Sequence, residues 1–404
     1  MTENADDNPT TSRFGVYLAV LQLVFTLGWT IYVIYLPKLA AQVGIAPSSV
    51  ILILMLDQAI FTVTDTAMGI AADKLAPFVG RLGIFVGAVT ALSCAAFVAL
   101  PFIAGAAAQP LFIATLVVWA ISSSALRAPP LTLLGKYGAR PKLPFLSALT
   151  MLGYGLAGAV SPYLGVVLRD QDPRIPFVIA SVVLLIVAVS LSRVERGLAV
   201  AMPAKISADT RSLGRVPMLF IASMVILALG YQFHFSVNSA PFFLRFAKPA
   251  DLQWLMPVFW IGFNIAMFPA SIVTKRHGGL LVMGAAGLLG ALAVLGAEQA
   301  GSLNMLIASQ FIAGAAWGCM LMSAVSAALA IGETGAEGKV VGLVFSALAL
   351  ATFARIAAVA GGLQRLPDYA PLLHWAPVAC WSVAGCGLLV LAASRLRAAQ
   401  ARTV

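Results

Sequence analysis

The sequence predicts an all-α membrane protein, with twelve transmembrane helices in two six-helix bundles related by pseudo-symmetry. Of 404 residues, 61% are hydrophobic and 10% are charged, whereas soluble domains carry about a quarter charged residues. Apolar runs of roughly 18 or more residues, long enough to span a bilayer, recur from Phe14 almost to Leu396. The runs lack the alternation of a membrane β-barrel, and the second half repeats short patterns of the first.

Pro, Gly and charged residues divide the apolar runs into twelve predicted helices. The first six are 14–36, 50–73, 82–104, 110–134, 144–168 and 175–192. The last six are 216–238, 252–273, 279–297, 303–331, 340–363 and 372–394. The longest polar stretch, 193–215, separates the two sets. We interpret it as a cytoplasmic linker between an N-terminal bundle (1–192) and a C-terminal bundle (216–404).

The basic residues predict the orientation of the chain. Seventeen Lys and Arg residues lie on the side that holds both termini, and six lie on the other side. Because Lys and Arg in short loops stay in the cytoplasm, we expect a multi-pass protein of a bacterial plasma (inner) membrane with both termini cytoplasmic. The basic residues form no stripe or patch, which argues against a nucleic-acid partner.

Three short matches between the halves indicate a parallel duplication. They occur in the same order and at nearly constant offsets of 202, 199 and 199 residues. Such repeats are typical of transporters whose substrate site lies between two halves near the bilayer midplane. The matches are Leu27-Gly28-Trp29 with Leu229-Gly230-Tyr231, Asp65-Thr-Ala67-Met68 with Asn264-Ile-Ala266-Met267, and Ser147-Ala148-Leu149 with Ser346-Ala347-Leu348.

A motif follows the second predicted helix. It reads Gly69-Ile-Ala-Ala72-Asp73-Lys74 and, after five residues, Gly80-Arg81. The chain resembles the major facilitator superfamily, which has Gly-x-x-x-Asp-Arg/Lys and then Gly and basic residues at this place. The helix number and the central loop are similar too. The resemblance implies a gating role for Gly69, Asp73, Lys74, Gly80 and Arg81, in which Gly69 permits close helix approach and Asp73 pairs with a cation.

Ionisable residues inside predicted helices are candidate functional residues, because a charge in hydrocarbon is costly. Asp57 and Asp65 project within about 80° of each other and about 12 Å apart along one helix. Asp65 and Arg127 lie at similar depth, so they can form an ion pair. That pair either ties the first bundle together or makes Asp65 a coupling-proton site that Arg127 senses. Asp57 is either an outer gate or a solvated residue.

Three candidates lie in the second half. Arg355 sits near the middle of the eleventh predicted helix with no acid in its own segment. It suits an anionic substrate such as a carboxylate, or a pair with an acid of the first bundle. His234 is either a proton carrier or a hydrogen-bonded packing residue. Asn264 corresponds to Asp65 in the repeat and joins the candidates for substrate binding or coupling.

These observations predict a secondary active transporter rather than an enzyme. No GxxxxGK[ST] loop for nucleotides is present, and the polar residues form no catalytic set. The cysteines form no CxxC or Cys/His cluster, so we expect no metal and no cofactor.

The expected partners are the lipid bilayer, a small organic solute and a proton as coupling ion, and we expect a monomer. Arg355 favours an organic anion. The alternatives are efflux of hydrophobic drugs, suggested by the Gly- and Pro-containing fifth helix, and a non-transporting membrane assembly factor.

Overall fold

The computed structural model describes residues 9–138, 140–201, 215–332 and 335–400. Those residues form helices and short connections, with no strand among them. Twelve of the helices in these ranges are long and apolar enough to cross a membrane. The predicted all-α membrane fold is therefore confirmed.

The first six membrane-spanning helices follow the predicted order. They are α1 (Pro9–Gln42), α2 (Val50–Leu75), α3 (Arg81–Gly105), α4 (Gln109–Tyr137), α5 (Leu143–Leu168) and α6 (Arg174–Ala201). Helix α6 continues nine residues past its predicted end at 192. The start of the predicted linker is thus helical, and residues 202–214 of that linker lie outside the described residues.

The second set also agrees with the prediction. It comprises α7 (Arg215–Leu244), α8 (Pro249–His277), α9 (Gly279–Glu298), α10 (Leu303–Ile331), α11 (Glu337–Ala360) and α12 (Ala370–Gln400). Helix α11 begins and ends three residues earlier than predicted. This shift changes the depth of the residues that it carries.

Two helices are interrupted. In α4 the α-helix Gln109–Ser123 passes through a short 3-10 turn, and a second α-helix, Ala128–Tyr137, begins after Arg127. Pro129-Pro130 explains the break, because proline lacks the N–H that continues the helical hydrogen bonds. In α7 the stretch His234–Asn238 forms a π-helical turn, a feature that is frequent at functional sites.

Two compact units account for the chain. Unit 1 contains Met1–Thr210 and Leu329–Ser346, and unit 2 contains Arg211–Ala328 and Ala347–Val404. The first turns of α11 therefore belong to unit 1, although they lie in the second half of the sequence. The rest of α11 belongs to unit 2.

Aromatic and small residues build the core of unit 1. The rings of Phe97 and Phe177 stack with centroids 4.2 Å apart, and Tyr32 lies 4.4 Å from Trp119. Helix α5 packs closely on α1, because a Cβ at Gly153 would lie 1.9 Å from the Ala19 carbonyl oxygen. This glycine of the fifth helix thus has a packing role.

Candidate functional site

Asp65 and Arg127 form a buried ion pair in unit 1. The Arg127 Nη1 donates to Asp65 Oδ2 at 2.7 Å, and the side chains are 16% and 0% exposed. The guanidinium also lies over the Phe61 ring, 4.0 Å from its centroid. The ion pair that their similar depth allows is therefore present. Its role in coupling stays a prediction.

The break in α4 accounts for the position of Arg127. Its backbone has φ −92° and ψ −82°, outside the helical region. The Leu126 carbonyl has no helical donor, because the residue four positions later is Pro130. Gln22 Nε2 of α1 donates to this carbonyl at 3.3 Å, so a polar side chain of another helix stabilises the break beside the ion pair.

Asp57 is a second buried carboxylate of α2. It is 0% exposed, and its Oδ2 accepts a hydrogen bond from the Tyr32 hydroxyl at 2.7 Å. Its Oδ1 is buried and has no hydrogen-bond partner. Asp57 is therefore not a solvated residue, which was one of its two alternatives. The outer-gate role stays a prediction.

Arg355 belongs to unit 2 and is paired with a neutral side chain. Its Nε donates to Gln232 Oε1 at 3.3 Å, and the residue is half-buried. No carboxylate of the described residues lies within ion-pair distance of the guanidinium. Gln232 was not among the predicted site residues, since one Gln in an apolar run gives no sign of what it contacts.

The depth of Arg355 differs from the prediction. It follows Glu337 by 18 residues and precedes Ala360 by five, which correspond to about 27 Å and about 8 Å of helix. Arg355 is therefore nearer the C-terminal end of α11 than its middle, because the helix begins and ends earlier than the apolar run suggested.

His234 starts the π-helical turn of α7 and is fully buried. Its Nε2 lies 3.1 Å from Gln310 Oε1, and its backbone oxygen accepts from the Ser239 hydroxyl at 2.9 Å. Nδ1 is buried without a hydrogen-bond partner. The contacts agree with hydrogen-bonded packing, one of the two alternatives, and proton carrying remains a prediction.

Asn264 does not reproduce the arrangement of its counterpart Asp65. Its Nδ2 donates to the Trp260 carbonyl one turn earlier in the same helix, at 2.8 Å. Its Oδ1 is buried without a partner. The structure thus shows no charged partner for this candidate among the described residues.

Asp73 contacts the first turn of α11 within unit 1. Its Oδ1 accepts from the Gly338 N–H at 2.6 Å, and its Oδ2 accepts from the Lys339 N–H at 2.8 Å. The first N–H groups of a helix lack helical acceptors and carry partial positive charge. Asp73 therefore accepts hydrogen bonds from a helix N-terminus, and its pairing with a basic side chain stays a prediction.

Gly69 allows this contact to form. A Cβ at Gly69 would lie 2.1 Å from the Gly338 carbonyl oxygen, and one at Gly342 would lie 2.6 Å from the Asp65 oxygen. Any side chain at these positions would separate α2 from the start of α11. The Thr66 and Ser346 hydroxyls, 2.7 Å apart, join the two helices further along.

The remaining motif residues shape the α2–α3 connection. Gly80 precedes α3 with φ +79°, a left-handed conformation that favours glycine. Arg81 lies over the Phe78 ring, 4.5 Å from the centroid to its Cζ. Lys74 is exposed. Neither basic residue forms an ion pair with Asp73 in the described part of the chain.

A buried acid of α6 was not among the predicted site residues. Glu195 is 0% exposed, accepts from the Gly83 N–H at 2.8 Å and lies 4.0 Å from Lys136 Nζ. It fell in the predicted polar linker. The spacing of Leu191, Glu195 and Leu198 held the signal, because positions three and four apart share a helix face and both leucines are buried.

Sequence comparison gives no relative: no protein-family model matches the chain, and no curated protein matches it.

Solved structures share the fold. A bacterial homologue of the iron transporter ferroportin, in an outward-facing state, gives a TM-score of 0.72 at 12% identity, covering 94% of this chain and 100% of its own. The human organic anion transporter MFSD10 (TETRAN) gives 0.67 at 14% identity, with coverage of 95% and 99%. The Escherichia coli fucose:proton symporter FucP gives 0.65 at 12% identity, with coverage of 95% and 99%. The chain therefore has the fold of the major facilitator superfamily transporters.

Proposed function

We propose that this protein is a secondary active transporter that carries a small organic anion by alternating access, with a proton as the coupling ion. We place it as a monomer in a bacterial plasma membrane with both termini in the cytoplasm. The observation that carries the proposal is Arg355, a half-buried guanidinium in a membrane-spanning helix with a neutral hydrogen-bond partner. Two proteins of the same fold, an organic anion transporter and a fucose:proton symporter, support the class.

The anion preference follows from electrostatics. A buried charge is costly unless another charge or strong hydrogen bonds compensate it. The Gln232 amide supplies one hydrogen bond at 3.3 Å and no charge. A bound anion compensates the remaining positive charge, so Arg355 favours an anionic solute over a neutral one.

We assign proton coupling to Asp65. This carboxylate is fully buried and has Arg127 as its ion partner. A proton on Asp65 removes the negative charge that holds Arg127 at 2.7 Å. The guanidinium then needs another acceptor, and this change links protonation to a rearrangement around the break in α4.

We assign gating to the contact between Asp73 and the start of α11. The two hydrogen bonds to Gly338 and Lys339 latch one transport state, and they must break when the alternating state forms. Gly69 permits the close approach, while Gly80, Arg81 and Lys74 shape and anchor the connection that follows Asp73.

The test is flux into proteoliposomes with an imposed pH gradient. The solutes are acetate, octanoate and benzoate, each with its neutral amide. We expect the wild type to carry at least one carboxylate faster than its amide. We expect Arg355→Ala to lower carboxylate flux about a hundredfold, since charge-assisted hydrogen bonds to a buried anion are lost. Arg365→Ala, which removes an exposed arginine after the same helix, is the matched control.

Three results would contradict the proposal. Carboxylate flux that is unchanged in Arg355→Ala would show that Arg355 does not bind the anion. Equal flux of amides and carboxylates would favour export of neutral hydrophobic compounds instead. For coupling, we expect the pH gradient to change wild-type flux and to have no effect in Asp65→Asn. Wild-type flux that ignores the gradient would exclude the proton.

A further inference from the structure

We infer that Gln232 is a positioning residue, which orients Arg355 so that both terminal nitrogens of its guanidinium face a carboxylate. The inference rests on the proposed function, because it concerns how the same arginine recognises its anion. It goes further by specifying the geometry of the ligand, which is a planar oxyanion bound by two parallel hydrogen bonds. It also identifies Gln232 as the residue that selects this geometry.

Gln232 joins two helices of unit 2 through its amide. It lies on α7 and is 9% exposed. Its Oε1 accepts from Arg355 Nε at 3.3 Å and from the Ser236 hydroxyl at 3.4 Å. Its Nε2 donates to Thr352 Oγ1 on α11 at 2.8 Å. Both ends of the amide are therefore occupied.

Thr352 decides which end of the amide faces Arg355. The Thr352 hydroxyl donates its single hydrogen to the Leu348 carbonyl at 2.8 Å. It can then only accept from Gln232, so the amide nitrogen must point to Thr352. Because Thr352 and Arg355 are three residues apart on one helix face, the amide oxygen is left for the guanidinium.

The hydrogen bond uses only the Nε–H of Arg355. A guanidinium has five N–H donors in a rigid fork, and its terminal pair matches the two oxygens of a carboxylate. Among the described residues, Arg355 shows no hydrogen bond from Nη1 or Nη2, and the Tyr231 side chain is near enough to act on its charge. Gln232 thus restrains the side chain while leaving the terminal nitrogens for a ligand.

The neutrality of Gln232 is part of the mechanism. A Glu at this position has nearly the same shape and offers the same oxygen to Arg355 Nε. It adds a negative charge that stays within about 3.3 Å of the guanidinium and competes with the substrate carboxylate. An amide orients the arginine without neutralising it.

The first measurement is carboxylate uptake by variants of the network. We expect Gln232→Glu to raise KM for the transported carboxylate about tenfold or more with little change in kcat, since initial binding is weakened. Gln232→Met and Thr352→Val, which remove the restraint without adding charge, should raise KM about threefold to tenfold. Gln364→Glu, on an exposed residue near the same helix end, controls for the added acid.

The second measurement needs no substrate. Phenylglyoxal reacts with the terminal nitrogens of arginine, and mass spectrometry of purified, detergent-solubilised protein reads the adduct at Arg355. We expect modification in the wild type and in Gln364→Glu, and at least about fivefold slower modification in Gln232→Glu, because the new carboxylate engages the guanidinium. Equal resistance of the wild type and Gln232→Glu would overturn the inference, since the terminal nitrogens would not be free.

The two measurements separate the inference from the proposed function. Carboxylate flux that depends on Arg355 but keeps its KM in all three network variants overturns the role of Gln232 alone. If phenylglyoxal modifies Arg355 more slowly in Gln232→Glu, but neither the wild type nor any variant carries a carboxylate, the proposed anion transport is overturned. The contact between Gln232 and Arg355 is then supported. If Gln232→Glu does not fold, Gln232→Met and Thr352→Val still carry the KM test.

Discussion

Each unit has an arginine inside a membrane-spanning helix, and the two arginines have different partners. In unit 1, Arg127 meets a carboxylate at 2.7 Å, and the pair is close to neutral. In unit 2, Arg355 meets the Gln232 amide at 3.3 Å and keeps its net charge. In the proposed function, the compensated pair is the site that a proton switches, and the uncompensated cation is the site that an anion fills.

The predicted repeat allows one position to be compared between the halves. In the predicted repeat Asp65 corresponds to Asn264, whose Nδ2 donates to the Trp260 carbonyl of its own helix. With an amide instead of an acid at this position, unit 2 has a polar residue that holds no arginine among the described residues. The two halves thus keep similar helices and differ in the charges that those helices carry.

The C-terminal ends of α2 and α8 differ in the same way. Asp73 caps α11 with two hydrogen bonds. The last turn of α8 and the glycine after it, residues 274–278, have basic residues but no acid, and the Thr274 hydroxyl lies 2.9 Å from the Ser323 hydroxyl. The acid that holds a helix N-terminus is therefore a property of one half.

The largest expected effect is a difference in stability between two single variants, each of which lacks the arginine of one unit. Arg127→Met leaves Asp65 buried without an ion partner, which costs about 3–5 kcal/mol of folding free energy. Arg355→Met strands no acid and should cost about 1 kcal/mol. Thermal unfolding in detergent measures both. The double variant Asp65→Asn/Arg127→Met should recover most of the loss, and equal destabilisation by both single variants would contradict the comparison.

A smaller effect is expected at the contact between α2 and α11. Gly69→Ala places a methyl group about 2.1 Å from the Gly338 carbonyl oxygen, and such overpacking costs about 1–3 kcal/mol. The same unfolding measurement detects it. Gly165→Ala is the control, because a Cβ there meets nothing within 4 Å. Equal stability of the two variants would show that the helices separate freely.

The smallest effect concerns the cap on α11. Asp73→Asn removes the charge and one good acceptor, which weakens the first turn by about 1 kcal/mol. Amide hydrogen exchange at Gly338 and Lys339 should speed up about fivefold. Asp172→Asn removes the charge from a residue that caps α6, where Asp172 Oδ1 accepts from the Arg174 N–H at 3.0 Å, and should leave those two amides unchanged. If amide exchange at Gly338 and Lys339 is unaltered in Asp73→Asn, the Asp73 cap does not hold the start of α11 and cannot be the gating contact.

The sequence alone determined the number and type of the helices, because a long apolar run has no stable alternative to a membrane-spanning helix. It also determined that Asp65 and Arg127 lie at similar depth, since depth follows from position along a helix. Both inferences depend on distance along the chain.

Only the tertiary structure decided which polar groups meet. Gln232 and Thr352 are 120 residues apart, and no local pattern reveals that they restrain Arg355. Asp73 finds its partner 265 residues later at Gly338, and Glu195 is buried only because α6 continues and packs on α3. A hydrogen bond requires two groups within about 3.5 Å, and that proximity is created by helix packing rather than by the composition of either helix.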